Sequence, residues 1–543
     1  MTFQKHFPEN FTHSSDGESR VYAARHVFLT GFMGAGKSTV GQQVAKKLGR
    51  QFVDMDEELQ KRHRKTIKEI FGSKGEVFFR QAESALLQDL INHDRPLVVA
   101  TGGGVVETPA NLEGLKAHLT FFLDLPPEAA WARVGTDPDG TRPNARDWEN
   151  FKKRYLKRRP LYLKCGRVTE AAPKSDQVAW QITEHILEDE PLTLTCEGRT
   201  CTIRTFAPQT RIPALAREII GDRKLVLLSD ACFDQKDQNF TQNLPEHHPI
   251  YLPVQGEAVK SMGQAQNLLE RLVSLKLDRG DFLMVRGGGS VTDLGAFCAG
   301  LYRRGLNLIL VPTTLLGAVD ASVGGKTAVN LAGAKNQIGH FYLPREIWID
   351  PWILADLPEN LINDGLTETY KTGLLFDPDL ASMVERHLES IRAGDLPLLT
   401  ETVYLSAKAK AALVKEDFRE EKGLRDVLNL GHTYGHAVES LLAPNLSHGR
   451  AVALGLAVAL KFSEDKFGLD QDSAEAGLRI CRLLAGGSFP EKPKASEVER
   501  LMSFDKKIRG GRLKFVVISA PGKPHLVETT PQEILKYAAM IEN

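Results

Sequence analysis

The 543-residue sequence predicts an α/β protein in three parts: an N-terminal domain built on a parallel sheet, a Rossmann-like α/β domain, and an all-helical C-terminal domain. Three observations carry this. Short apolar runs of strand length alternate with helix-length amphipathic segments over the first two thirds of the chain, the pattern of parallel sheets covered on both faces. Two glycine-rich loops, Gly31-Phe-Met-Gly34-Ala-Gly36-Lys37-Ser38 and Arg286-Gly287-Gly288-Gly289-Ser290, each follow such a run and open a helical segment. Beyond about Leu354 the strand signals fade and helical periodicity takes over.

In chain order, residues 1–24 are polar, lack the apolar core of a secretory signal, and read as a loose tail. The first domain, 25–188, opens with the strand His26–Thr30, the first glycine loop and a helix from Ser38 to about Leu48. Phe52–Asp54, Leu97–Ala100 and Leu119–Leu123 are further strands, short and apolar as buried parallel strands are. A linker falls at Glu188–Leu192, where Glu188-Asp-Glu-Pro191 interrupts a helix. The second domain, 193–354, begins with a hairpin over Thr193–Thr205 and continues with strands Lys224–Asp230, Asp281–Val285 and Leu306–Val311. The third, 355–543, carries helical periodicity over Leu380–Arg392, Thr400–Lys415, Val427–Leu442 and Arg450–Phe467.

Composition excludes several function classes. Lys+Arg and Asp+Glu both count 69, so the formal charge is zero and nothing points to a nucleic-acid or membrane partner. The longest apolar stretch, Ala451–Leu460, is about half of the ~20 residues a membrane span needs. The six cysteines form no CxxC pair and read as reduced thiols of a cytoplasmic protein.

The first loop has the form G-x-x-x-x-G-K-S between a strand and a helix. Backbone N–H groups of Gly34, Gly36 and the helix start attract phosphate, Lys37 neutralises the β- and γ-phosphates, and Ser38, followed by Thr39, offers a hydroxyl to Mg²⁺. ATP is the expected ligand. Asp54 and Asp56 place two carboxylates at the C-terminal edge of the second strand, where α/β folds bind ligands. Phe-Val-Asp54-Met-Asp56, Gly75-Glu-Val-Phe-Phe-Arg80-Gln-Ala-Glu83, Gly102-Gly103-Gly104 and Arg158-Arg-Pro160-Leu-Tyr162 together resemble shikimate kinase over about 25–188. The resemblance implies that Asp56, Arg80, Gly102, Gly103 and Arg158 hold shikimate, with Asp56 orienting a ring hydroxyl, and that Asp54 lies near Mg²⁺. Thr141-Arg142-Pro143 resembles the lid segment whose arginine reaches over ATP, with Asn144 and Ala145 standing where the family has an apolar pair.

The second loop, Gly287 to Gly289, suits a pyrophosphate, and Asp230 at the end of an earlier strand suits ribose hydroxyls. Gly431-His432-Thr-Tyr-Gly435-His436 sets two imidazoles one helical turn apart; His448 follows and Glu368 lies upstream. One carboxylate with two imidazoles is a catalytic Zn²⁺ donor set, and spacing alone selects His432 and His436. Lysines supply a further clue: Lys326, Lys335, Lys371, Lys410, Lys506 and Lys507, with Arg425, form a cation density among glycines that indicates an anionic substrate.

Gly256-Glu257-Ala-Val-Lys260, Gly287–Asp293, Tyr302-Arg-Arg304-Gly305, Val311-Pro-Thr313-Thr314, Asp320–Asn336, Gly365–Lys371 and Leu428–His436 together resemble 3-dehydroquinate synthase over about 193–543. The resemblance implies NAD at Asp230, Glu257, Lys260, Gly288, Gly289, Asp293, Thr313 and Thr314, with Lys326 and Lys335 bordering it. It changes the metal set to Glu368, His432 and His448, for Zn²⁺ or Co²⁺, and makes His436 a proton handler. Asp320, Lys326, Lys335, Asn336, Lys371, Lys410, Arg425 and Asn429 would surround the substrate. Arg304 would reach a neighbouring subunit, which implies a homodimer through this half. Four features depart from the family pattern: Arg286 before the glycines, Ser290-Val-Thr292 after them, Arg450 after His448-Gly, and an extra residue in Asp417–Gly423. The sequence is thus read as two enzymes of aromatic biosynthesis on one chain.

Overall fold

The computed structural model describes residues 25–48, 50–93, 96–135, 147–170, 174–206, 211–230, 240–241, 243–254, 256–332, 334–503 and 512–541. The expected tail, the lid arginine Arg142 and the pair Lys506–Lys507 lie outside these residues. The chain forms two compact units, one ending at Glu190 and the next beginning at Pro191.

In the first unit, strands β1 (Val27–Thr30), β2 (Gln51–Asp54), β3 (Leu97–Ala100), β4 (Leu119–Asp124) and β5 (Arg167–Glu170) form one sheet in the order β2-β3-β1-β4-β5. Every neighbouring pair is parallel. The central strands are continuous apolar runs because helices cover both faces. The helix Lys37–Leu48 buries Val40, Val44 and Leu48, one face at four-residue spacing. The helical run Ile67–Ile91 starts from a capping box between Thr66 and Glu69 and is broken at Gly75 (φ 80°), which re-aims the half that carries Arg80 and Glu83. Asp147 caps the helix Trp148–Cys165, which carries Arg158.

In the second unit, strands β6 (Leu192–Cys196), β7 (Arg199–Arg204), β8 (Leu225–Asp230), β9 (His247–Leu252), β10 (Phe282–Gly287), β11 (Asn307–Pro312) and β14 (Glu346–Trp348) form a sheet in the order β6-β7-β14-β11-β10-β8-β9. The expected hairpin is β6–β7, the one antiparallel pair of this sheet. From β8 the chain goes outward to β9 and then returns to the other side of β8 with β10. The order therefore reverses between β8 and β10, the switch point where such sheets take ligands. Strands β12 (Lys326–Leu331) and β13 (Ala334–Phe341) form a separate antiparallel hairpin.

Among the described residues from Pro351 onward the unit is helical, as expected, except that β15 (Leu513–Ala520) and β16 (Lys523–Thr529) pair as an antiparallel hairpin. The continuous helix expected over Val427–Leu442 is not found. A 3₁₀ turn, Arg425–Asn429, precedes Gly431 in the left-handed region (φ 77°), and only then does the helix His432–Leu442 begin. A side chain at Gly431 would meet the Leu456 backbone N at 2.8 Å, so glycine both turns the chain and permits the close approach.

The helices His432–Leu442 and His448–Phe467 approach closely through glycines. A Cβ at Gly455 would lie 2.8 Å from the Gly431 carbonyl carbon and 3.0 Å from the Gly435 nitrogen. Backbone cannot yield as a side-chain tip can. Gly455→Ala is expected to destabilise this unit by about 3 kcal/mol. Chemical denaturation checks it: the transition of the second unit should move to lower denaturant while that of the first stays in place.

Candidate active sites

In the first unit the glycine loop wraps the end of β1. Gly31, Gly34 and Gly36 all take positive φ (151°, 84° and 89°). A Cβ at Gly34 would meet the Ala130 carbonyl oxygen at 2.9 Å, while Gly36 faces open space. The Lys37 ammonium donates to the Gly31 and Phe32 carbonyls at 3.0 and 3.4 Å, so its charge is held over the loop. Ser38 Oγ donates to Asp54 Oδ2 at 2.5 Å, and Asp54 also caps the helix Met55–His63 by accepting from Asp56 N. Thr39 is exposed in the first turn of its helix.

Across the same sheet edge, Gly102–Gly104 let polar side chains crowd against the backbone. A Cβ at Gly102 would meet Asp56 Oδ1 at 3.2 Å, and one at Gly104 would lie 2.6 Å from Arg80 Cζ. Tyr162 Oη donates to the Gly103 carbonyl. Arg80 donates to the buried Glu83 at 2.7 Å. Burial raises the Glu83 carboxyl and Arg80 only partly offsets it. Arg158 Nε and Nη2 both donate to Glu107 Oε2, at 3.1 and 2.7 Å. Burial would raise Glu107, but Lys157 and Arg158 outweigh it and hold the carboxyl below its ordinary value. The structure thus gathers Asp56, Arg80, Gly102, Gly103 and Arg158 at one edge. Sequence reasoning missed Glu107, which lies in no motif.

In the second unit, Gly288 and Gly289 sit at the N-terminus of the helix Gly289–Leu301, at the switch point. Side chains there would fill the cradle: a Cβ would meet Asp230 Oδ2 at 2.9 Å from Gly287, Thr314 Cγ2 at 3.2 Å from Gly288, and Ala321 Cβ at 3.4 Å from Gly289. Burial raises the Asp230 carboxyl while the Gly288 N–H lowers it. Thr313 N donates to the Gly287 carbonyl at 3.0 Å. Lys260 Nζ donates to Asp293 Oδ2 at 2.6 Å and to Asn336 Oδ1 at 2.5 Å. Glu257 accepts from Asn330 at 2.8 Å and from Ser290 at 3.3 Å, so the unusual Ser290 is absorbed into the network. Arg286, buried, lies 4.4 Å over the Phe240 ring. Arg450 Nε donates to the Ala485 carbonyl at 2.7 Å.

The helix Glu359–Phe376 packs at Gly365 against Leu315 and Leu316. It buries Glu368, whose Oε1 lies 3.5 Å from Nε2 of both His432 and His448. His432 Nδ1 donates to the Leu430 carbonyl at 3.1 Å and His448 Nδ1 to Glu439 Oε2 at 3.1 Å. Each ring therefore turns Nε2 toward one carboxylate oxygen that has no hydrogen bond of its own. Three Lewis bases around one point, with both imidazoles anchored from behind, fit a divalent cation. His436 stands in the same cluster: ligand atoms of His432, His436 and His448 lie within 4.8 Å of one another. The pair picked by spacing and the set implied by resemblance thus converge on one place.

Burial lowers His432, and Lys371 lowers it further. Burial also lowers His436, although solvent still reaches its ring. For His448 burial lowers the imidazole, but the Glu368 and Glu439 carboxylates outweigh it and raise it to about 10. Glu439 is raised by burial and lowered more strongly by His448 and Lys335, to about 2. Glu439 also accepts from Lys335 Nζ at 2.8 Å.

The remaining cations collect beside this cluster. Lys371 pairs with Glu368, Lys410 with Asp320, and Lys326 with Glu420. Burial lowers Lys410, partly offset by Asp320. Burial also lowers Arg425, which lies 3.4 Å from Glu420 and donates to the Phe418 carbonyl at 2.9 Å. A Cβ at Gly324 would touch Arg425 Nη2 at 3.3 Å and Lys410 Cε at 3.9 Å. Asn429 Nδ2 donates to the Asp426 carbonyl. Arg304 stands apart, exposed and at φ 62°.

Fold and sites define a nucleotide-type phosphate-binding unit followed by a dinucleotide-type α/β unit with a helical cation-ligand cluster. Residues 33–188 match the shikimate kinase family, 250–364 the N-terminal part of 3-dehydroquinate synthase, and 365–508 its C-terminal part. A bifunctional shikimate kinase/3-dehydroquinate synthase of Thermotoga maritima is 33% identical over 515 residues, 94% of this chain and 99% of that one. The 3-dehydroquinate synthase of Azotobacter vinelandii is 37% identical over 333 residues, 60% of this chain and 89% of that one. A 2-deoxy-scyllo-inosose synthase solved with carbaglucose-6-phosphate, NAD⁺ and Co²⁺ shares the fold, with TM-score 0.58 at 24% identity, over 65% of this chain and all of that one. The chain belongs to the family of bifunctional shikimate kinase/3-dehydroquinate synthases.

Proposed function

We propose that the chain phosphorylates shikimate with ATP in the unit before Glu190. In the unit after it, the chain converts 3-deoxy-D-arabino-heptulosonate 7-phosphate to 3-dehydroquinate and phosphate. The convergence of Glu368, His432 and His448 supports the second activity most strongly. The Lys37–Ser38–Asp54 arrangement supports the first.

In the kinase unit, the loop N–H groups and Lys37 hold the ATP phosphates, and Lys37 stabilises charge developing on the transferred group. Ser38 and Asp54 hold Mg²⁺, and Thr39 lines the nucleotide phosphates. Arg80 and Arg158 grip the shikimate carboxylate with Gly102 and Gly103, and Asp56 accepts the proton of the reacting hydroxyl.

In the synthase unit, Glu368, His432 and His448 hold Zn²⁺ or Co²⁺, which when bound supplies Lewis acidity toward vicinal substrate hydroxyls. Asp230, Glu257, Lys260, Gly288, Gly289, Asp293, Thr313 and Thr314 hold NAD, which supplies a reversible hydride acceptor. Lys326, Lys335, Asn336, Lys410, Arg425 and Asn429 fix the phosphate and carboxylate of the substrate in a cationic pocket. Asp320 orients Lys410, Lys371 neutralises Glu368, and His436 moves the substrate-side proton. Arg304 crosses to a second copy in a homodimer.

Phosphate release from the heptulosonate, with no net NADH and with loss on chelation, tests the second reaction. Persistent NADH would instead point to a polyol dehydrogenase. The anchoring of His448 gives a separate test. Glu439→Gln is expected to weaken Zn²⁺ binding by about 10- to 100-fold, read by chelator competition. Unchanged affinity would remove Glu439 from the support of the site.

A further inference from the structure

Glu107 lies outside every motif, yet its carboxylate occupies the ground between the two arginines of the kinase unit. Its Oε2 accepts from Arg158 Nε and Nη2 at 3.1 and 2.7 Å and lies 3.8 Å from Arg80 Nη2. Its Oε1 accepts from Lys157 Nζ at 2.8 Å. The Nε/Nη2 edge is the edge of a guanidinium that grips a carboxylate in a paired bond. One oxygen shared by two guanidiniums is the contact an incoming substrate carboxylate would make. The 3₁₀ turn Val105–Glu107, directly after Gly102–Gly104, delivers Glu107 there. Arg80 has a separate acid, Glu83, on its own helix at 2.7 Å, so Glu107 is not needed to neutralise it.

We propose that Glu107 is an internal stand-in for the substrate carboxylate, which the substrate must displace from Arg158, and that it thereby sets the affinity of this unit for carboxylate substrates. This rests on the reading of Arg80 and Arg158 as the carboxylate grip. Displacement breaks the bonds to Arg158 and brings two like charges together. The resting contact also keeps the Arg158 guanidinium in place before substrate arrives.

The test is steady-state kinetics of the full chain carrying Glu107→Gln, beside Arg158→Ala. Glutamine keeps the shape and a carbonyl acceptor for Arg158 but removes the charge. Glu107 is 21% exposed, so screening limits the effect. The KM for shikimate is expected to fall by roughly twofold to fivefold, with kcat and the KM for ATP within about twofold. The KM for ATP, read on the same unit, serves as the control for its folding, since Glu107 belongs to the unit that ends at Glu190. Arg158→Ala is expected to raise the KM for shikimate by at least about tenfold. If Glu107→Gln leaves that KM unchanged or raises it while Arg158→Ala raises it, the stand-in is overturned and the arginine grip survives. If Arg158→Ala leaves the KM unchanged, the grip is wrong and the proposal falls with it.

Discussion

His448→Ala is expected to lower kcat/KM for cyclisation by about a thousandfold or more, while phosphorylation of shikimate stays at the wild-type rate. The ring gives Nε2 to the point where Glu368 Oε1 and His432 Nε2 also meet, each of those contacts being 3.5 Å. Removing it leaves two of three donors and also strips Glu439 of its imidazole partner. Lewis-acid stabilisation is worth several kcal/mol, and each 1.36 kcal/mol is tenfold in rate, hence the estimate. The measurement pairs phosphate release with bound zinc per chain. His436→Ala provides the contrast. It should retain zinc and lose rate, since His436 is assigned to the proton rather than the ion. Zinc retained in His448→Ala and lost in His436→Ala would reverse the two assignments and favour the pair that spacing alone selects.

That ambiguity shows where sequence reasoning stops. His432 and His436 are one helical turn apart, so periodicity pairs them. Which of the two turns Nε2 toward Glu368 depends on the Leu430 carbonyl and on a second helix that starts at His448. Neither is visible in spacing. Glu439 had a readable signal, since His432, His436 and Glu439 share a face of one helix, and it passed unused. Glu107 had none, because the side chains that donate to it, Lys157 and Arg158, come from a helix some fifty positions away.

The same division holds for the fold. Buried central strands are legible from their apolar runs, Val27–Leu29 and Phe282–Val285. Two edge strands are not: Arg167–Glu170 is largely exposed, and His247–Leu252 carries a proline, which an edge tolerates. The helix expected across Val427–Leu442 failed at Gly431, whose left-handed turn is required by contact with Leu456 rather than by local preference. The glycine loops were legible because each motif is contiguous, with its chemistry in the backbone.

Lys37→Ala is expected to lower kcat for shikimate phosphorylation by about a hundredfold to a thousandfold, with cyclisation untouched. The Lys37 ammonium is carried on the first residue of the helix that ends the loop, and it bonds to the Gly31 and Phe32 carbonyls at 3.0 and 3.4 Å. It therefore sits over the loop before any nucleotide arrives, and moving it onto phosphate exchanges carbonyl partners for anionic ones. That exchange gains most when charge spreads over the transferred group, so the loss should fall on kcat more than on the KM for shikimate. Coupled measurement of ADP production and of phosphate release from the heptulosonate, on one preparation, reads both units at once. A variant that loses both activities would indicate a folding defect reaching past Glu190, since Lys37 belongs wholly to the unit that ends there. A variant that keeps phosphorylation would mean that the glycine loop is not the ATP site, and the kinase assignment would have to be rebuilt around Arg80, Asp56 and Arg158 alone.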